Sequence, residues 1–238
     1  MDAPPPSPAP PRRRILLHAC CGPCSTHCVR ELRESGVEPV LFYSNSNIDT
    51  EEEFGKRLAA LRAFAAAEGV EVVADAYDPA SWERAVAGLE AEPEGGARCD
   101  RCFRHNLGRA AAKAAELGFE AFSTTLTVSP HKSSPRVFAA GREAAAARPG
   151  GPAFEARDFK KRDGFLDSVR LAKAYGLYRQ DYCGCRFSRA TRRSRRSETS
   201  EKSSPAAPET ASVAKTRGQP APASTARPRL QAASDEPT

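Results

Sequence analysis

The eight cysteines of this chain fall into three groups. Cys20, Cys21, Cys24 and Cys28 lie in "LLHACCGPCSTHC" (16–28), Cys99 and Cys102 in "CDRC", and Cys183 and Cys185 in "CGC". Each group falls at the edge of an expected helix or strand, so one shared site is the economical reading. Four thiolates gathered this way hold either zinc or an iron–sulfur cluster. A zinc ribbon normally offers two C-x₂₋₄-C knuckles. "CDRC" is one such knuckle, whereas "CCGPC" offers an adjacent pair. Adjacent ligands suit a cluster, whose irons present several corners, better than one tetrahedral ion, and spacing alone leaves both open. The "CGC" pair suits a redox-active dithiol cycling with an easily reduced disulfide, or else completes the metal site. Cys28, inside the first expected helix, reads as a small buried hydrophobe. Cys24, at the mouth of the same loop, either ligates metal or lines the helix start.

Other polar residues carry weaker signals. "CCGPCS" occupies the strand–loop–helix position where nucleotide-binding folds place a phosphate loop. It matches neither G-x-x-x-x-G-K-[ST] nor G-x-G-x-x-G, so no ATP or NAD site is expected. His18 reads as a packed residue or a support for a ligand. His131 in "SPHK" is a loop histidine, placed to donate a proton, contact phosphate or face solvent. Tyr182, next to the CGC pair, either stacks on a base or anchors its segment.

These residues need a frame, and the hydrophobic pattern supplies one. Short apolar runs at 14–20, 38–44, 70–77 and 119–127 predict strands. Helical periodicity with capping and glycine stops predicts helices at 25–36 (with Ser25 as N-cap), 50–69, 79–89, 101–118, 134–147 and 164–176. Strands alternating with helices imply right-handed crossovers and an α/β fold with an open, mostly parallel sheet. Sites in such sheets form beyond the carboxyl ends of strands, where strand order reverses. Cys20 and Cys21 lie at one such end and "TTLTVSPHK" (124–132) at another.

The flanks differ in composition. Net charge is +5 for residues 189–238, +2 for 1–14 and −1 for the body between. Residues 1–13 form a Pro/Arg leader, residues 14–188 the α/β domain that carries the cysteines. Residues 189–238 hold no Phe, Trp or Tyr and are expected to be a disordered basic tail, dispensable for folding. Its "RATRRSRRS" (189–197) offers phosphate contacts or simply a solvated arm. No apolar run reaches the length of a membrane helix and the N-terminus has no secretory h-region, so a reducing cytoplasmic setting without membrane partners is expected.

Taken together, "LLHACCGPCS" (16–25), "EGGARCDRCFRHNL" (94–107), "FSTTLTVSPHK" (122–132), "DFKKRDGF" (158–165) and "YRQDYCGC" (178–185) resemble the cobalamin-independent epoxyqueuosine reductase family, QueH. The pieces occur in order across residues 15–188. "FYSNSNID" (42–49) departs from the family's usual "YNPNIHP"-like stretch. The resemblance implies a fold like the adenine-nucleotide-hydrolase-like (HUP-like) α/β proteins. It implies reduction of epoxyqueuosine to queuosine at the tRNA wobble position, with tRNA as partner, an external electron donor and no cobalamin. By matching motif, Cys20, Cys21, Cys99 and Cys102 would ligate a [4Fe–4S] cluster and Cys183 and Cys185 would be the redox-active catalytic pair. An additional adjacent iron is implied, with Cys24 as a candidate ligand. The rival reading from another class is a zinc-stabilised tRNA-binding module without catalysis. A protein-directed thiol oxidoreductase fits poorly, because the CGC pair lacks C-x-x-C spacing beside a thioredoxin-like unit.

Overall fold

A computed structural model describes residues 12–203, with side chains through residue 194. The first strand, β1 (Arg13–His18), buries Ile15, Leu16 and Leu17 completely. Both of its faces are therefore covered, as the centre of a parallel sheet requires. The chain continues through α1 (Gly22–Glu34), β2 (Val37–Tyr43), α2 (Glu51–Glu68), β3 (Val72–Ala74), α3 (Pro79–Val86) and α4 (Ala97–Glu116). It then forms β4 (Ala121–Thr124), a 3-10 turn (Thr125–Val128), α5 (Ser134–Ala146), β5 (Ala153–Phe154), α6 (Gly164–Ala174) and α7 (Arg186–Ser203).

All five strands are parallel, in the order β3-β2-β1-β4-β5. Alternate strand residues feed two cores. Ile15, Leu17, Leu41 and Tyr43 pack with α1, α2 and the Phe159–Phe165 region. Leu16, Val40, Phe42 and Phe122 pack with Phe103, Leu107 and Ala110 of α4 and Val137 and Ala140 of α5. The result is an α/β/α sandwich. The chain moves outward from β1 to β3, then returns to add β4 and β5 on the other side. The strand order thus reverses beside β1, and connections leaving β1 and β4 diverge there, opening a crevice beyond their carboxyl ends.

Several boundaries differ from expectation for identifiable reasons. The first helix begins at Gly22, with Cys21 rather than Ser25 as N-cap. Pro23 fits a first-turn position, and the Ser25 hydroxyl donates back to the Cys21 carbonyl at 2.9 Å. The strand expected at 119–127 stops at Thr124, whose hydroxyl accepts the Leu126 N–H at 3.2 Å and starts the 3-10 turn. The helix expected from 101 starts at Ala97, which puts Cys99 and Cys102 on its first turns. The tail boundary after 188 falls inside α7. Phe187 docks this helix: the Arg98 guanidinium lies 4.0 Å from its ring centroid and the Trp82 ring 6.3 Å away. Of the expected leader, 1–13, residues 1–11 lie outside the described residues and Arg13 already opens β1; the tail from 204 also lies outside them. Among the described residues no helix is long and apolar enough to cross a membrane.

Candidate metal centre and dithiol

The connection from β1 to α1 is short, so Cys20, Cys21 and Cys24 are forced together at the start of α1. Their sulfurs all lie within 4.8 Å of one another, with Cys20 Sγ and Cys21 Sγ 3.8 Å apart. Neighbouring strand ends hold this group in place. Thr125, just beyond β4, accepts the Cys20 N–H at 3.1 Å and donates its hydroxyl to Cys20 Sγ at 3.4 Å. His18 is fully buried and bridges three strands, with Nδ1 2.9 Å from Thr124 Oγ1 and Nε2 3.1 Å from the Ser44 carbonyl oxygen. Burial lowers its pKa, so it stays neutral as a strut. The thiols titrate against each other. Hydrogen bonds from Cys20 and Cys24 hold Cys21 well below the ordinary thiol range, with Gln180 assisting. The same contacts with Cys20 and Cys21 push Cys24 well above it. One sulfur of the group is thus favoured as the thiolate that metal binding requires.

The opposite wall carries four more thiols. Cys99 Sγ accepts the Gly95 N–H at 3.2 Å, and Cys102 Sγ accepts from Asn106 Nδ2 at 3.7 Å. Asn106 is itself tied to Asn47 Oδ1 at 3.0 Å. Burial raises the pKa of both cysteines. Cys185 sits immediately before α7. Its carbonyl accepts the Arg189 N–H at 3.1 Å and its sulfur the Ser188 N–H at 3.5 Å, the bonding pattern of a helix N-cap. The Ser188 hydroxyl accepts the Cys183 N–H at 3.0 Å. Burial pushes the Cys185 thiol up to about 11, although the Ser188 N–H opposes this.

A cavity of about 650 Å³ joins the two walls and is lined by Cys20, Cys24, Cys99, Cys102, Cys183 and Cys185. Cys21 is fully buried behind it, and Cys28 is fully buried in the core against α1's neighbours, the inert place its sequence position indicated. Cys99 and Cys102 share the cavity but do not join the tight group; among the described residues that group is Cys20, Cys21 and Cys24. His131 is exposed at the cavity's edge. The adjacent Lys132 is half-buried. Burial would lower its pKa, but the sulfurs of Cys183, Cys20, Cys24 and Cys21 outweigh burial and raise it, so it stays an ammonium. A donor set made of soft thiolates on one cavity fits zinc or an iron–sulfur cluster and does not suit magnesium or calcium.

The family model described as epoxyqueuosine reductase QueH matches residues 15–191, a span that includes every cysteine and the first turn of α7. The chain belongs to the QueH epoxyqueuosine reductase family. It is therefore an enzyme, of the oxidoreductase class. The epoxyqueuosine reductase QueH of Streptococcus pyogenes serotype M1 is 37% identical over 183 residues, covering 74% of this chain and 71% of that protein. The family member from Dehalococcoides mccartyi is 35% identical over 176 residues, covering 74% of this chain and 92% of that one. The member from Thermotoga maritima is 34% identical over 177 residues, with 73% and 89% covered. Among solved structures, the U34-tRNA thiolase NcsA from Methanococcus maripaludis with its [4Fe-4S] cluster aligns over 80% of this chain and 66% of its own. The TM-score is 0.47 at 13% identity, a likeness too distant to carry an argument.

Some site residues escaped the sequence reading. Thr125 and Lys132 lie in "TTLTVSPHK", where the His131 imidazole is the stronger chemical signal. Asn106 and Trp82 are ordinary helix residues in sequence. Arg57 had a readable signal: it falls on the apolar face of α2 with Phe54, Leu61 and Phe64, and Glu53 stands four residues before it.

Proposed function

We propose that this chain reduces epoxyqueuosine to queuosine at the wobble position of tRNA, on an adenine-nucleotide-hydrolase-like α/β frame. The observation that carries the reading is the convergence of six cysteines, from three distant stretches, on one cavity. Cys20 and Cys21 from one wall and Cys99 and Cys102 from the other would hold a [4Fe–4S] cluster, with Cys24 available to a further iron. A bound cluster supplies one-electron transfer and a Lewis-acidic iron for the epoxide oxygen.

The chain's own residues account for the rest. Removing the epoxide oxygen as water and leaving an alkene takes two electrons and two protons. The Cys183/Cys185 dithiol yields two electrons and two protons as it closes to a disulfide. An external reductant, itself oxidised, reopens it. The Lys132 ammonium lies among the thiols, where it balances thiolate charge and can hydrogen-bond the departing oxygen. Thr125, Asn106 and the Gly95 N–H donate to the liganding sulfurs and orient them.

One distance favours a second reading for part of the site. The 3.8 Å between Cys20 Sγ and Cys21 Sγ equals the edge of a tetrahedron whose centre is about 2.3 Å from each sulfur, the bond length of a single zinc ion. Anaerobic purification followed by iron, zinc and sulfide analysis separates the two. Brown protein containing iron and acid-labile sulfide supports the cluster; colourless protein with zinc and no sulfide refutes it. Incubating the iron-loaded protein with epoxyqueuosine-containing tRNA and a reductant should lower the nucleoside mass by one oxygen. No change in mass would refute the proposed reaction.

A further inference from the structure

Arg57 is only 2% exposed. A guanidinium is almost never so buried unless it is paired. Its partners converge on one short segment. Nε donates to Glu53 Oε1 at 2.7 Å, Nη1 to the Cys183 carbonyl at 3.0 Å and Nη2 to the Tyr182 carbonyl at 3.3 Å. The guanidinium also lies 5.1 Å from the centroid of the Tyr182 ring. The other oxygen of Glu53 accepts the Tyr178 hydroxyl at 2.8 Å. Just before α2, the Asp49 N–H donates to the Gly184 carbonyl at 3.0 Å, and its carboxylate accepts the Tyr182 hydroxyl at 3.0 Å and pairs with Arg189 at 2.7 Å.

Three consecutive carbonyls, those of Tyr182, Cys183 and Gly184, are therefore all held from the α2 side. Residues 178–185 contain no helix or strand that would hold them otherwise. Gly184 is fitted to the same partner. Its φ is +132°, and a Cβ there would lie 3.1 Å from Arg57 Nη1. Both cysteines of the pair are free thiols in this conformation. Joining two sulfurs one residue apart closes a small ring, whose geometry depends on the peptide units that these carbonyls belong to.

We propose that Arg57, backed by Glu53, is a positioning residue that locks the Cys183–Gly184–Cys185 turn in its dithiol conformation and so disfavours the disulfide. The proposal rests on the reading of this pair as redox-active. The function of such a lock is turnover. When the two thiols give two electrons and two protons to the epoxide, the disulfide left behind is strained against the clamp, and a thiol or dithiol reductant reopens it readily.

The test is an equilibrium measurement on iron-loaded protein. Wild type and Arg57→Gln are equilibrated anaerobically in buffers of fixed reduced-to-oxidised glutathione ratio, quenched by alkylation and digested with trypsin. Cleavage after Arg179 and Arg186 leaves a peptide holding Cys183 and Cys185 as its only cysteines. The disulfide-to-dithiol ratio in that peptide should rise at least tenfold in Arg57→Gln, a fall of about 30 mV in potential. Iron content should be unchanged. Arg57→Lys should give a smaller rise, because an ammonium cannot hold two carbonyls and a carboxylate in one planar fork. If Arg57→Gln is not recovered folded, Glu53→Gln carries the test, with a rise in the same direction. An unchanged ratio in a folded variant overturns the proposal and leaves the redox reading standing. A wild-type peptide that forms no disulfide at any glutathione ratio overturns the redox reading and the proposal with it.

Discussion

Gly184→Ala should separate the CGC turn from a glycine that carries backbone strain alone. At φ +132° an L residue is in a region it rarely adopts, which costs about 1–3 kcal/mol. The added methyl also meets Arg57 Nη1 and Asn47 Nδ2 at 3.1 Å and Ile48 Cγ1 at 3.3 Å, closer than ordinary contact. Overpacking of this kind adds about 1 kcal/mol or more. The total, about 2–4 kcal/mol, is below the about 5–15 kcal/mol that holds a typical domain, so the protein should fold. Gly36→Ala is the matched control: φ is +76° and nothing lies within 4 Å, so strain alone should cost about 1 kcal/mol. Urea midpoints at constant slope give the two stabilities, and iron analysis and single-turnover assays give the two sites. Gly184→Ala should lose more stability than Gly36→Ala, keep its iron and turn over at least tenfold more slowly, whereas Gly36→Ala should turn over as wild type. Equal stability losses with unimpaired turnover in Gly184→Ala would refute the claim that this turn is built around Arg57.

Three further outcomes are expected. The double variant Cys183→Ser/Cys185→Ser should stay brown and keep its iron but lose turnover; loss of iron would make these residues ligands. Truncation after Ser203 should leave stability and turnover unchanged. Truncation after Ser188 removes the Arg189–Asp49 pair and most of the helix capped by Cys185; it should slow turnover and, through lost phosphate contacts, flatten the salt dependence of tRNA binding, both read in one titration series. Asp167 accepts from His27 Nδ1 at 2.8 Å and pairs with Arg30 and Arg170. Burial would raise its carboxyl pKa, but His27 and the arginines outweigh burial and hold it below the usual range. Its contribution is present above the unfolded pKa near ~3.9 and is lost as pH falls through the lower folded value. Asp167→Asn should cost about 1–3 kcal/mol at neutral pH, and urea midpoints should show the gap to wild type closing as pH falls below about 4.

The strands that carry the site were legible because their apolar runs are dense: "RILLH" and "VLFY" permit little else than buried parallel strands. The cysteines were legible as a set because thiols have few ordinary surface uses. What escaped did so for physical reasons. β5 is two residues long, and only its pairing with Ala121 and Phe122 makes it a strand. The early part of α7 lacks an apolar stripe, and its docking depends on Phe187 meeting Arg98 and Trp82 from distant helices. The clamp on the dithiol spans contacts more than a hundred residues apart in sequence, such as Arg57 to Cys183, so no local pattern announces it. Only the charged residue on an otherwise apolar helix face hinted that something was waiting for it.

The position of the dithiol near the end of the domain has a consequence for assembly. A chain leaves the ribosome amino end first, and its early parts begin to fold before the rest is made. The sheet core, both thiol groups proposed to hold the cluster and the Glu53–Arg57 pair all precede residue 178. Until the last segment emerges, Arg57 lacks the Tyr182 and Cys183 carbonyls and the part of the cavity lining from Arg179 to Arg192 is missing. Nascent protein therefore presents a thiol-lined basin open on the side that residues 178–188 later cover. Metal delivered during synthesis would meet a wider opening than metal delivered to the finished protein, where residues 178–188 narrow the way in.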